Sequence, residues 1–198
     1  MLDLPLAAGS APAERADAAR NRAKILAAAE ELIAERGIEH VSMDDVARRA
    51  CVGKGTLYRR FGDRASLALA LLQEHEAELQ ESLLRGAPPL GPGAPACERL
   101  GAFGDAYLDH LERHAPLIAA AEHGGRPNLA PYLAYRLHVM HLLREADPRC
   151  DADVLADALL ATLSAPLFAH QRLVREIELE RLKAAWHALV DGLAAVST

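Results

Sequence analysis

The sequence predicts an all-α protein, and three observations carry that prediction. Hydrophobic residues make up 51% of the 198 positions but aromatics only 4%, so the core is built from Leu, Ala, Val and Ile. Ala and Leu lose little on entering a helix, whereas the aromatic strand formers are few. Apolar residues recur at spacings of three and four, and no segment alternates with period two.

Met1 to Asp17 is rich in Ala and Pro and reads as a flexible N-terminal arm (1–17). From about Ala18 to Arg36 the residues Ile25, Leu26, Ala29, Leu32 and Ile33 share one helical face, and Gly37 follows as a stop. Ser42 is a good N-cap for a second helix, with the charge of Asp45 suited to the first turn and Met43, Val46, Ala47 and Ala50 inward. The turn Cys51-Val52-Gly53 leads into a third helix, Lys54 to Phe61, with Leu57 and Phe61 inward at i,i+4. Gly62-Asp63 ends it, and Asp63 caps a long fourth helix from Arg64 to Arg85. Two short helices joined by a turn of about three or four residues have the geometry of a helix-turn-helix.

The stretch Gly86 to Pro95 holds four Pro and three Gly and cannot be helical. Beyond it, helices are expected near 96–114, 116–123, 128–146, 152–172 and 176–195, with breaks at Pro116, Gly124-Gly125, Pro127, Pro148 and Arg175 and a kink at Pro166. The domain reading is therefore a three-helix unit over 18–66 and a larger helical unit over 67–198. No run of eighteen apolar residues suggests a membrane span, and Met1 to Arg20 lacks the apolar core of a signal peptide, so a cytoplasmic location is expected. Cys51, Cys97 and Cys150 are odd in number and form no CxxC pair, which points to reduced thiols.

The net charge of −6 is unevenly spread. Residues 1–72 carry 11 Lys+Arg against 10 Asp+Glu, whereas residues 73–198 carry 11 against 18. Within Ala47 to Arg64, six bases (Arg48, Arg49, Lys54, Arg59, Arg60, Arg64) face a single acid, Asp63. Such a local excess of positive charge suits contact with phosphates.

The run Ser42 to Leu67, with Gly-Thr-Leu-Tyr-x-x-Phe at Gly55 to Phe61, closely resembles the DNA-binding signature of the TetR/AcrR family of repressors. The detailed match covers roughly Arg22 to Leu72. The resemblance implies operator DNA as partner, a phosphate contact by the Tyr58 hydroxyl, and a dimer built on a four-helix interface. This chain departs from the pattern where Cys51 replaces the usual turn Gly, Gly53 the following Ser, Arg60 an aromatic, Arg64 a Lys and Ala65 an acid. Its base preference is therefore its own.

In a helix-turn-helix the second helix of the motif lies in the major groove. Gly53 and Gly55 would let the backbone approach DNA closely, and the helix N-terminus favours phosphate. Lys54, Thr56 and Arg59 fall on the outward side, where Lys or Arg donates to guanine and the Thr methyl meets thymine. Tyr58, Ser42, Arg48, Arg60 and Arg64 are candidates for the sugar-phosphate backbone, and Arg20, Arg22 and Lys24 for a neighbouring groove.

In the second unit, Leu100, Phe103, Tyr107 and Leu111 form one helical stripe, with His110 and His114 along it. Segment 128–146 is apolar nearly all round, which implies burial, with Tyr135, Arg136, His138 and His141 within it. A mostly apolar cavity with a few polar groups suits a small-molecule effector, with Phe103, Tyr107, His110, His114, Tyr135, Arg136 and Phe168 as its candidate lining. The expected ligand carries a polar or anionic group. Arg136 pairs either with Glu122 or with that group. His110 and His114 also have the i,i+4 spacing of a metal pair, but no Cys or acid completes a ligand set, so no metal and no cofactor are expected. Helices 152–172 and 176–195 either form the homodimer interface or complete the monomer core; dimerisation is favoured, because one helix-turn-helix offers too few base contacts. Two other readings are a DNA-binding module without a ligand and an enzyme using the histidines. The chain has no nucleophile elbow, P-loop, HExxH or dinucleotide fingerprint, so it is not expected to be an enzyme.

Overall fold

The computed structural model describes residues 12–122 and 129–196, all helix and connecting turns. The chain divides into two compact units, Met1–Leu71 and Leu72–Thr198, the division falling inside one long helix a few residues beyond the expected 66/67, which lies in the same helix.

In the first unit, α1 spans Pro12–Arg36 and so starts inside the segment expected to be a flexible arm. Pro12 brings a φ already suited to the first helical turn, and Ala13, Ala16, Ala18 and Ala19 favour its continuation. Residues 1–11 lie outside the described residues. Ile25, Leu26, Ala29 and Leu32 are buried on the inner face of α1, and Gly37, at φ 78, ends it. A short 3₁₀ turn, Ile38–His40, precedes α2, Met43–Arg49. Ser42 closes a reciprocal cap with Asp45. The Asp45 amide donates to Ser42 Oγ at 3.1 Å and the Ser42 amide donates to Asp45 Oδ2 at 3.3 Å. The Ser42 hydroxyl, which donates to Asp45 Oδ2, and then the Ser42 amide hold the Asp45 carboxyl below its ordinary pKa. Helix α3 spans Lys54–Phe61 and buries Leu57 and Phe61. Helix α4 spans Arg64–Arg85, and Asp63 Oδ1 accepts from the Ser66 amide at 2.7 Å, the cap expected of it.

The second unit begins in the later part of α4 and continues with α5, Ala96–Glu122, after the non-helical Gly86 to Pro95 stretch. The expected break at Pro116 does not occur. Proline there removes one donor only, and Leu111, Leu117 and Ile118 anchor the helix on both sides of it. Helix α6, Leu129–Ala146, buries Tyr135, Val139, Leu142 and Leu143, the i, i+4, i+7, i+8 stripe. Its opposite side carries Leu133 at 56% and Leu137 at 59% exposure, so the helix is not buried all round as its composition suggested.

The predicted helix 152–172 is three pieces: α7, Ala152–Thr162; α8, Ala165–Ala169; and a π-helical turn, His170–Val174. The chain leaves the helix at Leu163-Ser164, because Pro166 has no N–H to donate to the Thr162 carbonyl four residues back and its ring would clash with that carbonyl; Pro166 sits instead in the first turn of α8, where no N–H is needed. By length and composition the stretch Ala152–Val174 would pass as a membrane span. Its interruption, and the burial of Ala156, Leu159, Leu160 and Phe168 in this unit's core, fit a core element better. The last helix, α9, spans Leu179–Val196 and packs on α5 through Trp186, whose indole N–H donates to the Leu100 carbonyl at 2.9 Å. The core centres on Phe103, Tyr135, Val139, Leu142 and Trp186.

Candidate nucleic-acid interface and ligand cavity

Helix α3 is two-sided. Leu57 and Phe61 lie inward, while Lys54, Gly55, Tyr58, Arg59 and Arg60 face water and Thr56 is half-buried. Tyr58 leaves 47% of its surface exposed. A Cβ placed on Gly55 would meet nothing within 4 Å. The fold therefore does not require glycine in the first turn of α3, where it costs about 1 kcal/mol relative to Ala; a partner's close approach would.

The six-base cluster splits into distinct roles. Arg49 is turned to α1, with Glu31 at 3.1 Å and Glu35 at 2.9 Å; the Glu35 hydrogen bonds raise its pKa further and lower that of Glu35. Arg64, a phosphate candidate, donates to the Glu39 carbonyl at 3.1 Å and so holds the 3₁₀ turn. Ser42 is engaged in its capping box. Lys54 pairs with Asp44, and Arg48 with Asp45 at 3.1 Å, both in exposed positions. Exposed pairs are worth about 0–1 kcal/mol, so a phosphate can displace them cheaply. Arg59 and Arg60 make no ion pair among the described residues.

Cys51 sits in the motif's turn with φ 53, the left-handed region that favours glycine. Its exposed thiol lies 4.0 Å from the Arg49 carbonyl, at the C-terminal end of α2, where carbonyls rather than amides point outward. A side chain in this conformation costs roughly 1–2 kcal/mol, partly offset by the greater unfolded-state freedom of glycine. Cys51→Gly is therefore expected to stabilise the protein by about 1 kcal/mol, read as a higher Tm; an unchanged or lower Tm would contradict the strain.

The second unit holds a cavity of about 200 Å³ lined by Tyr107, Tyr132, Tyr135, Asp157, Leu160, Ala161, Leu163 and Ser164. Tyr107 and Tyr135 form a corner, ring centroids 5.0 Å apart at 71°. Burial, then the Glu76 carboxylate, raises the pKa of both hydroxyls. Tyr135 donates to Glu76, a buried acid on α4, and Tyr132 donates to Asp157. Arg136 lies against Asp157 at 2.6 Å and Asp153 at 2.7 Å, and those bonds lower the Asp157 pKa. Its sequence-stated alternatives were Glu122 or a ligand anion; the two aspartates one turn apart on α7 take its guanidinium, and the Glu122 side chain lies outside what is described.

Of the expected lining, only Tyr107 and Tyr135 reach this cavity. Phe103 is core, fully buried between Tyr107, Tyr135, His138 and Trp186. Phe168 lines a separate apolar cavity of about 110 Å³ with Leu111, Ile118 and Pro166. His110 Nε2 lies 3.3 Å from Glu76 Oε1 but off the line of a hydrogen bond, so that nitrogen has no hydrogen-bond partner. His114 is stacked on His75 at 4.1 Å, and burial, with His75, His110 and Arg113 nearby, pushes its pKa down to about 3. Among the described residues no three His, Cys, Asp or Glu are placed to hold a metal. The sequence reading missed Tyr132, Asp157, Ser164 and Glu76; the Asp153/Asp157 spacing on one helix was the available signal for an arginine partner.

Comparison with known proteins adds three findings. Residues 25–71 match the family model described as bacterial regulatory proteins, tetR family. An HTH-type transcriptional regulator of Staphylococcus aureus (strain bovine RF122 / ET3-1) is 41% identical over 59 residues, 30% of this chain and 32% of that protein. The chain thus aligns with only about a third of the length of the curated relatives it matches. Among solved structures, a TetR-family transcriptional regulator from Pectobacterium atrosepticum superposes with TM-score 0.70 at 24% identity, covering 90% of this chain and 94% of that one. A SmeT–triclosan complex gives TM-score 0.59 at 18% identity over 86% and 90%, and a fatty acid degradation regulator FadR from Bacillus halodurans 0.58 at 20% over 84% and 96%. At these identities the likeness is one of fold.

Proposed function

We propose that this chain, whose residues 25–71 match the TetR family of bacterial regulatory proteins, is a dimeric repressor of that family, released from a palindromic operator when a small molecule enters the cavity of its second unit. The observation that carries the DNA half is the exposed α3 face, where Tyr58, Arg59 and Arg60 stand uncovered beside a glycine the fold does not need. The effector half is supported by the cavity, which a purely DNA-binding module would not require, and by the fold likeness to a protein solved with triclosan. Such a regulator works in the cytoplasm, where the chromosome is.

Dimerisation is supported by apolar surface with no cover in a single chain. Val154, Ala158, Ala161 and Thr162 on α7 and Ala184, Ala185, Ala188, Leu189 and Gly192 on α9 are exposed, together with Leu173 at 78%. Helix α9 starts at Leu179, slightly later than expected, and the broken 152–174 stretch replaces one continuous interface helix. Helix α4 supplies Leu67 and Leu71 to the first unit and Glu76, Leu79 and Leu83 to the second. A ligand that disturbs Tyr135 therefore acts on Glu76 and on the helix shared by both units. Coupling of this kind is typically worth ~1–3 kcal/mol.

The test is operator affinity, measured by fluorescence anisotropy on a duplex the protein selects from a random pool. Tyr58→Ala and Lys54→Ala are each expected to weaken binding by about 10- to 100-fold without lowering Tm. Raising salt from 50 to 200 mM should cost affinity by on the order of a thousandfold. Parent-like binding by both variants would place the DNA interface elsewhere.

A further inference from the structure

The walls of the 200 Å³ cavity define the charge of its occupant. Among the described residues its only ionic lining residue is an acid, Asp157. Arg136, beside it, is held between Asp157 and Asp153, so two carboxylates face one guanidinium and a negative charge remains. A second acid, Glu76, sits one hydrogen bond behind the wall through the Tyr135 hydroxyl. Three tyrosines line the space, two of them meeting edge to face, and ring faces attract cations. Ser164, at the N-cap of α8, makes no capping hydrogen bond, which leaves its hydroxyl oxygen to accept from a ligand. Leu160, Ala161 and Leu163 supply an apolar side. Among the described lining residues an anionic ligand would meet an acid, and Arg136 is already matched.

We propose that this cavity binds a small apolar amine as its ammonium ion, the cationic head between Asp157, Ser164 and the Tyr107–Tyr135 corner and the apolar body against Leu160 and Leu163. This differs from the polar or anionic group that the sequence suggested for His110, His114 or Arg136, since that arginine is already matched by two aspartates. The proposal rests on the effector reading above but fails separately from it.

Isothermal titration of the full chain with phenethylamine, 2-phenylethanol and 3-phenylpropionate varies the head group on one body. Phenethylamine is expected to bind at least tenfold tighter than the alcohol, with the carboxylate weakest. Asp157→Asn should reduce the amine's advantage over the alcohol to below threefold, with Asp153 still holding Arg136; Ser164→Ala should reduce it by a smaller factor and covers the case in which Asp157→Asn does not fold. The proposal is overturned if the alcohol or the carboxylate binds as tightly as the amine, or if none of the three binds at millimolar concentration. Operator release separates the two readings. Phenethylamine bound with the operator still held would remove the repressor reading and keep the amine site; release by 3-phenylpropionate alone would do the reverse.

Discussion

Between pH 7 and pH 5 the protein is expected to lose about 2–4 kcal/mol of stability, well before its carboxylates titrate. The cause is two sheltered imidazoles. His114, 7% exposed, takes its proton only at about pH 3, because burial and the neighbouring His75, His110 and Arg113 all oppose the charge. His138 takes it at about pH 4, because of burial and of Arg99 and His141, and its Nε2 is buried without a hydrogen-bond partner. In the unfolded chain both protonate near pH 6.5. Below that pH the unfolded state binds protons that the folded state refuses, so stability is complete near neutrality and falls as pH drops through 6.5. Each group contributes at most about 1.4 kcal/mol per pH unit. Denaturant titrations at pH 7, 6 and 5 read the slope directly, and His114→Gln and His138→Gln should each remove part of it. A parent whose stability is flat over this range would refute the neutral, buried state of both rings.

Gly104→Ala is the substitution with the second large effect. A Cβ at this position would fall inside the Trp186 indole, against Nε1 and Cδ1, and one at Gly101 would come within 2.8 Å of His187 Cε1. Glycine at 104 is what lets α9 approach α5 closely enough for the indole to reach the Leu100 carbonyl. A methyl there must displace a side chain that is 2% exposed, separating the two helices and breaking a buried hydrogen bond. Overpacking costs about 1–3 kcal/mol and the broken bond adds about 1–3, so the variant should lose about 2–6 kcal/mol, seen as a lower Tm. Gly55→Ala on α3, where a Cβ meets nothing within 4 Å, is the control and should not lower Tm. Equal melting of Gly104→Ala and parent would show that the helices can yield at no cost.

The first unit was legible because its signals are local. The Ser42–Asp45 cap, the Gly37 stop and the Leu57/Phe61 pair lie within a few residues of the structure they specify, and α3 has the limits they imply. What sequence could not give there was how charges are shared. Arg49 and Glu35 are fourteen positions apart, and Arg64 and the Glu39 carbonyl twenty-five; only folding decides that these two arginines serve the scaffold. The second unit was legible as helices but not as surfaces. The apolar residues of α6 suggested a fully buried helix, yet Leu133 and Leu137 face outward, since burial depends on which neighbours α6 meets. The expected lining failed for the same reason. Phe103 shares a stripe with Tyr107 but is closed over by Trp186 from a helix more than eighty positions away.

Trp186 has one more consequence. It is the chain's only tryptophan and lies deep in the second unit, 2% exposed and hydrogen-bonded. Intrinsic fluorescence excited at the indole therefore reports on that unit alone, with a blue-shifted emission that moves red as its core opens. Far-ultraviolet dichroism sees the helices of both units. Disagreement between the two transitions would reveal that the DNA-facing helices melt independently of the cavity, and agreement would show that the chain unfolds as one cooperative body. Since Phe103 lies against both the indole and the tyrosine corner, the same emission offers a label-free optical reading of a ligand settling beside Tyr135.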